Sequence, residues 1–285
     1  TVVQALERGV MMKTAQGCSK RYISDSKRVV TLWKRYEEEH GITNLPLDDL
    51  EESNIKAFLV RPNWSPKTQR TVKSTLSPLL QELKPGLVSK ISLKRPASKL
   101  HKPFADVSYV LDEIKAFNHN LYLCCLMTYG CLLRPHREIR ELTWGDFSED
   151  LSEITLSGGR NKSGRNRIVP VPFYIKKLLV PSHQNDNIFS GSPKPYNKDY
   201  FKALWSRFKA LSARIDTHHT LYSFRHSGAI EIFKRTGSIT KLQKAMGHAS
   251  INVSLTYLRG LEIAELKEED MPKVQLNKLE NEKVV

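Results

Sequence analysis

Residues 221–259, LYSFRHSGAIEIFKRTGSITKLQKAMGHASINVSLTYLR, place Arg225 directly before His226, Gly247 directly before His248, and Tyr257 nine residues after that second histidine. Guanidinium, imidazole and phenol together suit work on an anionic ester. A fixed cation offsets charge that builds in a transition state, an imidazole positions or moves a proton, and a phenol oxygen can attack. Singly these residues are ordinary, because an arginine on a helix is usually a solvated charge and a tyrosine usually fills a core or an interface. Their order and spacing carry the argument.

The balance of charge names a class of partner. The chain has 285 residues, 40% of them hydrophobic, and a formal net charge of +15. That length allows two compact domains, each able to bury a core, and the charge suits a polyanion such as nucleic acid. No apolar run reaches the length of a membrane-spanning helix, and the basic residues form no juxtamembrane cluster, so no membrane partner is expected. Cys18, Cys124, Cys125 and Cys131 lack the paired spacing of a zinc site, and three of them lie in the apolar stretch 121–133. They read as reduced core residues of a cytoplasmic protein. The chain opens on Thr1 without an initiator methionine and reads as helix at once, so a preceding segment is expected.

In the first hundred residues Tyr22, Ile23, Val29, Val30, Trp33 and Tyr36 recur at helical spacing, and Gly41 is a plausible C-cap. A second helix is expected over 47–59, opened by a capping box of Asp48 and Glu51. A third starts at Ser65-Pro66, an N-cap followed by proline, with Val72, Leu76, Leu79 and Leu83 on one face and a kink expected at Pro78. This predicts a small helical bundle over 1–88. Lys67, Arg70 and Lys73 make a basic stripe on its third helix, suited to phosphate contact. The segment 89–103, SKISLKRPASKLHKP, holds five Lys or Arg and no acid, and is expected to be a basic linker.

Beyond it, a helix over 107–117 leads into the apolar run 121–133, which ends on Arg134 and Pro135. The segment EITLSGGRNKSGRNRIVPVP contains two β-prone runs, 153–157 and 167–171, around a turn, the signature of a hairpin. Its tip carries Arg160, Lys162, Arg165 and Arg167, and the three arginines read as DNA-binding. Residues 173–180 suggest a short helix, and Phe201, Leu204, Trp205, Phe208 and Leu211 a packing helix. His218 and His219 are adjacent with no partner at ligand spacing, so no metal site is expected. Gly228 and Ala229 would let the helix after Arg225 pack closely, and Tyr257 falls in a short helix over 250–258.

The order Arg134, Lys162, Arg225-His226, Gly247-His248 and Tyr257 resembles the tyrosine recombinase, or phage integrase, family over residues 134–259, whereas over 1–100 the likeness is architectural. The resemblance implies a mainly helical two-domain enzyme with a small β-hairpin: a DNA-binding bundle over 1–88, the linker 89–103, a catalytic domain over 104–268 and a tail over 269–285. The two domains would clamp duplex DNA. The resemblance makes Arg134 and Arg225 the cations on the scissile phosphate, Tyr257 the nucleophile and His248 its assistant. Lys162 would be the donor to the leaving 5′-oxygen, its acidity raised by neighbouring cations. Two departures stand out. The family has an acid three positions after the first arginine, where this chain has Arg137, with Glu138 next; a one-residue insertion in the turn would restore Glu138 to that place. The family's His or Lys three before the second arginine is Tyr222, which can donate to a phosphate oxygen but is a poor base at neutral pH.

The expected activity is site-specific recombination through a 3′-phosphotyrosyl intermediate, with no cofactor and no metal. The expected partners are a homotetramer assembled on DNA and accessory DNA-bending proteins. Three rivals remain: a DNA-binding protein of the same fold that does not cut, a type IB-like topoisomerase, and more remotely a metal-dependent nuclease. The tail from 261 to 285, with seven acids against four lysines, is not expected to touch DNA and could dock on a neighbouring protomer.

Overall fold

A computed structural model describes residues 1–96, 102–160 and 166–258. The chain divides into two units, Thr1–Lys99 and Leu100–Val285, each with its own apolar core.

The first unit is built from α1 (Val2–Ala15), α2 (Lys20–His40), α3 (Glu52–Leu59) and α4 (Pro66–Leu80). Local chemistry sets their ends. Ser65 caps α4 with Pro66 in its first turn, and Gly41 closes α2 at φ 64°, a conformation that costs glycine little. The capping box of α3 is Glu51 with Asn54, so this helix starts later than the Asp48 pairing predicted. Pro78 lies inside α4, on the turn before Leu79 and Leu80 are buried. Val29, Trp33, Tyr36, Ile55, Phe58, Val72, Leu76 and Leu79 fill the core, the apolar stripes of helices that lie one on another. A Cβ at Gly9 would stand 2.5 Å from the Leu79 carbonyl oxygen, so α1 and α4 meet backbone to backbone there.

The second unit contains α5 (Val107–Phe117), α6 (His119–Gly130), α7 (Phe173–Lys176), α8 (Tyr200–Leu211), α9 (Leu221–Thr236), α10 (Ile239–Met246) and α11 (Ile251–Leu255). It also has one antiparallel hairpin, β1 (Glu153–Leu156) with β2 (Arg167–Pro170), registered Glu153 to Pro170 and Leu156 to Arg167. The apolar run around Leu121–Thr128 is α6, buried on nearly every side. Each large side chain sheltered there is worth about 1.5–3 kcal/mol over an exposed one. Cys124, Cys125 and Cys131 are buried free thiols in this core, and burial raises the pKa of Cys124 and Cys125, so they behave as small apolar residues. Gly228 sets the spacing of α9 on α6, since a Cβ there would be 2.2 Å from the Tyr129 carbonyl oxygen. His219 stacks on Phe104 at 4.7 Å, a packing contact, and His218 is exposed. Among the described residues no helix is long and apolar enough to cross a membrane.

Candidate active site

Arg134 leaves the core on an unusual backbone. Leu132, two residues before it, has φ 51°, a left-handed conformation that costs a branched residue about 1–3 kcal/mol. Arg134 itself is extended and opens a π-helical turn, Pro135–Ile139. The Ile139 N–H donates to the Arg134 carbonyl oxygen at 3.0 Å, five residues back. A π turn holds one residue more than an α turn. That extra residue is the insertion the spacing required: Glu138, not Arg137, lies beneath Arg134. The Glu138 carboxylate is 1% exposed and accepts from the Arg134 backbone N–H at 2.9 Å and from the Arg134 guanidinium. Arg137 turns outward to Glu141 and the Gly159 carbonyl, and Arg140 donates to the Tyr196 carbonyl at 2.7 Å.

Arg225 lies in the first two turns of α9 and is fully buried. Its Nη2 donates to the Met246 carbonyl oxygen at 2.8 Å, while Nε and Nη1 are buried without a hydrogen-bond partner. Burial lowers its pKa to about 10, so it is still a cation at neutral pH. Two unmet donors on a buried cation are costly unless an anion meets them. The Met246 carbonyl is the last of α10, the negative end of the helix dipole, and Gly247 closes that helix at φ 65°.

His248 follows. Its Nδ1 is 2.9 Å from the Ser254 hydroxyl, and its ring centroid is 5.5 Å from that of Tyr257. Burial first, then the charges of Arg225, Arg134 and Arg167, push its pKa down to about 4, so the ring is neutral at physiological pH. His226 bonds the Tyr257 carbonyl oxygen through Nε2 at 2.7 Å, and because a carbonyl only accepts, Nε2 carries the proton. This bond ties α9 to the turn after α11 that holds Tyr257. Burial raises the pKa of Tyr222 while the charges of Arg134 and Arg225 oppose it, so the phenol keeps its proton within electrostatic reach of both guanidiniums.

Arg134, Arg225, His248, Tyr257 and Tyr222 therefore come together. Lys162, Arg165 and the side chain of Arg160 fall outside the described residues. Arg167 departs from its expected place on DNA: its side chain is 12% exposed and turns inward, donating to the Met246 carbonyl at 2.8 Å and to Glu138 at 3.3 Å. Strand alternation carried the signal for this, since Arg167 shares a face with buried Val169 and Val171 while Ile168 is exposed. Ser254, fully buried against His248, was also missed; its only sequence mark is standing one helical turn before Tyr257.

In the first unit, Lys73 donates to the carbonyls of Ser89 and Ile91 at 3.1 and 2.5 Å, and Arg70 to that of Leu93 at 3.4 Å. These two cations fasten the chain after α4 rather than standing free, and Ile91 is buried, so residues 89–93 belong to the bundle and not to a linker. Lys67 lines an open cavity of about 320 Å³ with Arg21, Arg28, Trp64, Thr68 and Thr71. Among the described residues no group of three His, Cys, Asp or Glu could hold a metal ion.

Residues 105–262 match the phage integrase family, and that stretch is more than half of the chain. The chain belongs to the phage integrase family. Tyrosine recombinase XerA of Pyrococcus furiosus is 27% identical over 143 residues, and tyrosine recombinase XerC of Rhizobium meliloti 29% over 153. The matches cover 48% and 50% of this chain, which spans about half the length of these relatives, 49% and 46%. XerC of Alcanivorax borkumensis matches at 24% over 251 residues, 80% of this chain and 81% of that one. Among solved structures, a lambda integrase dimer bound to a COC′ core site superposes with TM-score 0.75 at 16% identity, covering 93% of this chain and 79% of that one. The Tn1549 transposon integrase with a circular intermediate DNA gives 0.68 at 15% identity, covering 90% and 94%. At such identities the likeness is one of fold, and it extends over both units of this phage integrase family member.

Proposed function

We propose that this chain is a site-specific tyrosine recombinase that cuts and rejoins double-stranded DNA through a 3′-phosphotyrosyl intermediate. One observation carries the reading: the buried Arg225 guanidinium keeps two donors unmet, and Arg134, Tyr222 and Tyr257 lie near enough to couple to it electrostatically. An anionic phosphodiester supplies the missing acceptors. In the proposed reaction the Tyr257 oxygen attacks phosphorus, the bond to the 5′-oxygen breaks, and Lys162 gives that oxygen its proton. Arg134 and Arg225 offset the charge of the pentavalent transition state on the nonbridging oxygens. Neutral His248 assists at the nucleophile by accepting the proton that the Tyr257 hydroxyl gives up, and Tyr222 donates to a phosphate oxygen. Energy of the broken ester is kept in the phosphotyrosyl bond for rejoining.

The first unit serves as a DNA-holding domain, with Lys67 and the cations around it on phosphates, joined by Arg160 and Arg165. The active species is a homotetramer on DNA in the cytoplasm, helped by DNA-bending proteins. The non-cutting rival drew support from the displaced acid after Arg134 and from Tyr222 in place of the family's His or Lys; the π turn bears on the first of these only.

The test is a nicked suicide substrate, read on a denaturing gel for a covalent protein–DNA adduct. The adduct is expected with wild type in excess EDTA and absent with Tyr257→Phe, while DNA affinity stays nearly unchanged. Wild-type DNA binding without an adduct would identify the non-cutting rival, and loss of cleavage in EDTA a metal nuclease. Relaxation of supercoils without strand exchange would identify a topoisomerase.

A further inference from the structure

We propose that Arg167 is a positioning residue that joins the base of the β-hairpin to the two arginines Arg134 and Arg225 by holding the Met246 carbonyl and the Glu138 carboxylate in one fork. The inference rests on the reading above, in which those arginines receive the scissile phosphate.

Three observations converge on it. Arg167 contacts two elements at once, the C-terminal end of α10 and the π turn below Arg134. Only a planar guanidinium presents two donors in that fixed relation; an ammonium is a point charge. The Met246 carbonyl also accepts from Arg225, so two cations share one oxygen, whose two lone pairs can serve both. Their repulsion is offset by Glu138 and by the negative end of α10. Finally, Gly247 leaves room for the fork, because a Cβ there would be 2.6 Å from Arg167 Nη1. The chain has thus kept the side chain off the residue between Met246 and His248, at the place where Arg167 passes.

The consequence is mechanical. The strand β2 begins at Arg167, five residues after Lys162 in the chain, and through this residue its position is fixed to the turn that aims His248 and to the carboxylate that aims Arg134. Arg167 would set where the groups stand without touching the phosphate.

The test compares wild type, Arg167→Lys and Arg167→Gln in three measurements: salt dependence of duplex binding, the single-turnover adduct rate at saturating protein, and the His248 titration by NMR without DNA. We expect an unchanged salt slope, a rate at least about tenfold lower in Arg167→Lys and lower still in Arg167→Gln, and an upward shift of the His248 titration in Arg167→Gln. A direct phosphate contact would instead lower the slope by ~0.9 in Arg167→Gln at an unchanged saturated rate, which would overturn the proposal. So would wild-type rates in Arg167→Lys. Should Arg167→Gln fail to fold, the lysine variant still decides. An absent wild-type adduct would sink the recombinase reading instead, and an unmoved His248 titration in Arg167→Gln would then overturn this one on its own.

Discussion

Replacing Glu138 by Gln keeps the volume of the side chain and removes its charge. In the native protein this carboxylate is 1% exposed and accepts from the Arg134 backbone N–H, the Arg134 guanidinium and Arg167. The amide retains one accepting oxygen but turns an NH2 group toward donors. A hydrogen bond to a charged group contributes about 1.5–3 kcal/mol, and breaking one partner of a buried pair costs about 3–5. A loss of about 3 kcal/mol is therefore expected. At about 2–4 °C per kcal/mol for a domain of this size, the melting temperature of the C-terminal unit should fall by roughly 6–12 °C. Scanning calorimetry reads this directly, and the N-terminal unit serves as an internal reference because its core shares no residue with the other. Arg134, freed from its carboxylate, should also lose its aim. The single-turnover adduct rate should then drop toward the ~10²–10³-fold cost of one lost oxyanion-type donor. A melting temperature within about 1 °C of wild type would refute the claim that Glu138 holds the π turn and both arginines.

His248 has a folded pKa of about 4, below its ordinary value, so the unfolded chain binds more protons between there and about 6.5. Stability should fall as pH drops through that window, and the fall should be smaller in His248→Gln by denaturant titration at pH 7 and pH 5. His136 and His219 are shifted the same way, so only the difference between variants isolates His248. Gly228→Ala drives a methyl into the Tyr129 carbonyl and should cost about 1–3 kcal/mol in urea unfolding; wild-type stability would mean that α6 and α9 can separate freely. Lys67→Ala should lower the salt slope of DNA binding by ~0.9, whereas Lys73→Ala should lower stability and leave the slope alone; equal slopes in wild type and Lys67→Ala would return Lys67 to ordinary solvent.

Sequence by itself determined what is local or periodic. Ser65-Pro66 and Gly41 fix helix ends through their own backbones, the apolar stripe of α4 follows a 3.6-residue period, and the hairpin follows from β-prone runs around a turn. The order of Arg134, Arg225, His248 and Tyr257 was legible for the same reason, being a matter of residue type and count along the chain. Tertiary structure alone decided which atoms these residues meet. The π turn that brings Glu138 under Arg134 differs from an α turn by one residue between donor and acceptor, and no hydrophobic period records that difference. Lys73 and Arg70 looked like free cations because the carbonyls they bind lie 16–23 residues away. Arg167 looked like its neighbours in a basic loop until β2 paired and turned it inward, where Glu138, the Met246 carbonyl and the missing Cβ of Gly247 stabilise it. A charge on a surface and a charge in a fork read alike in one dimension, and only the acceptors that folding brings to them tell the two apart.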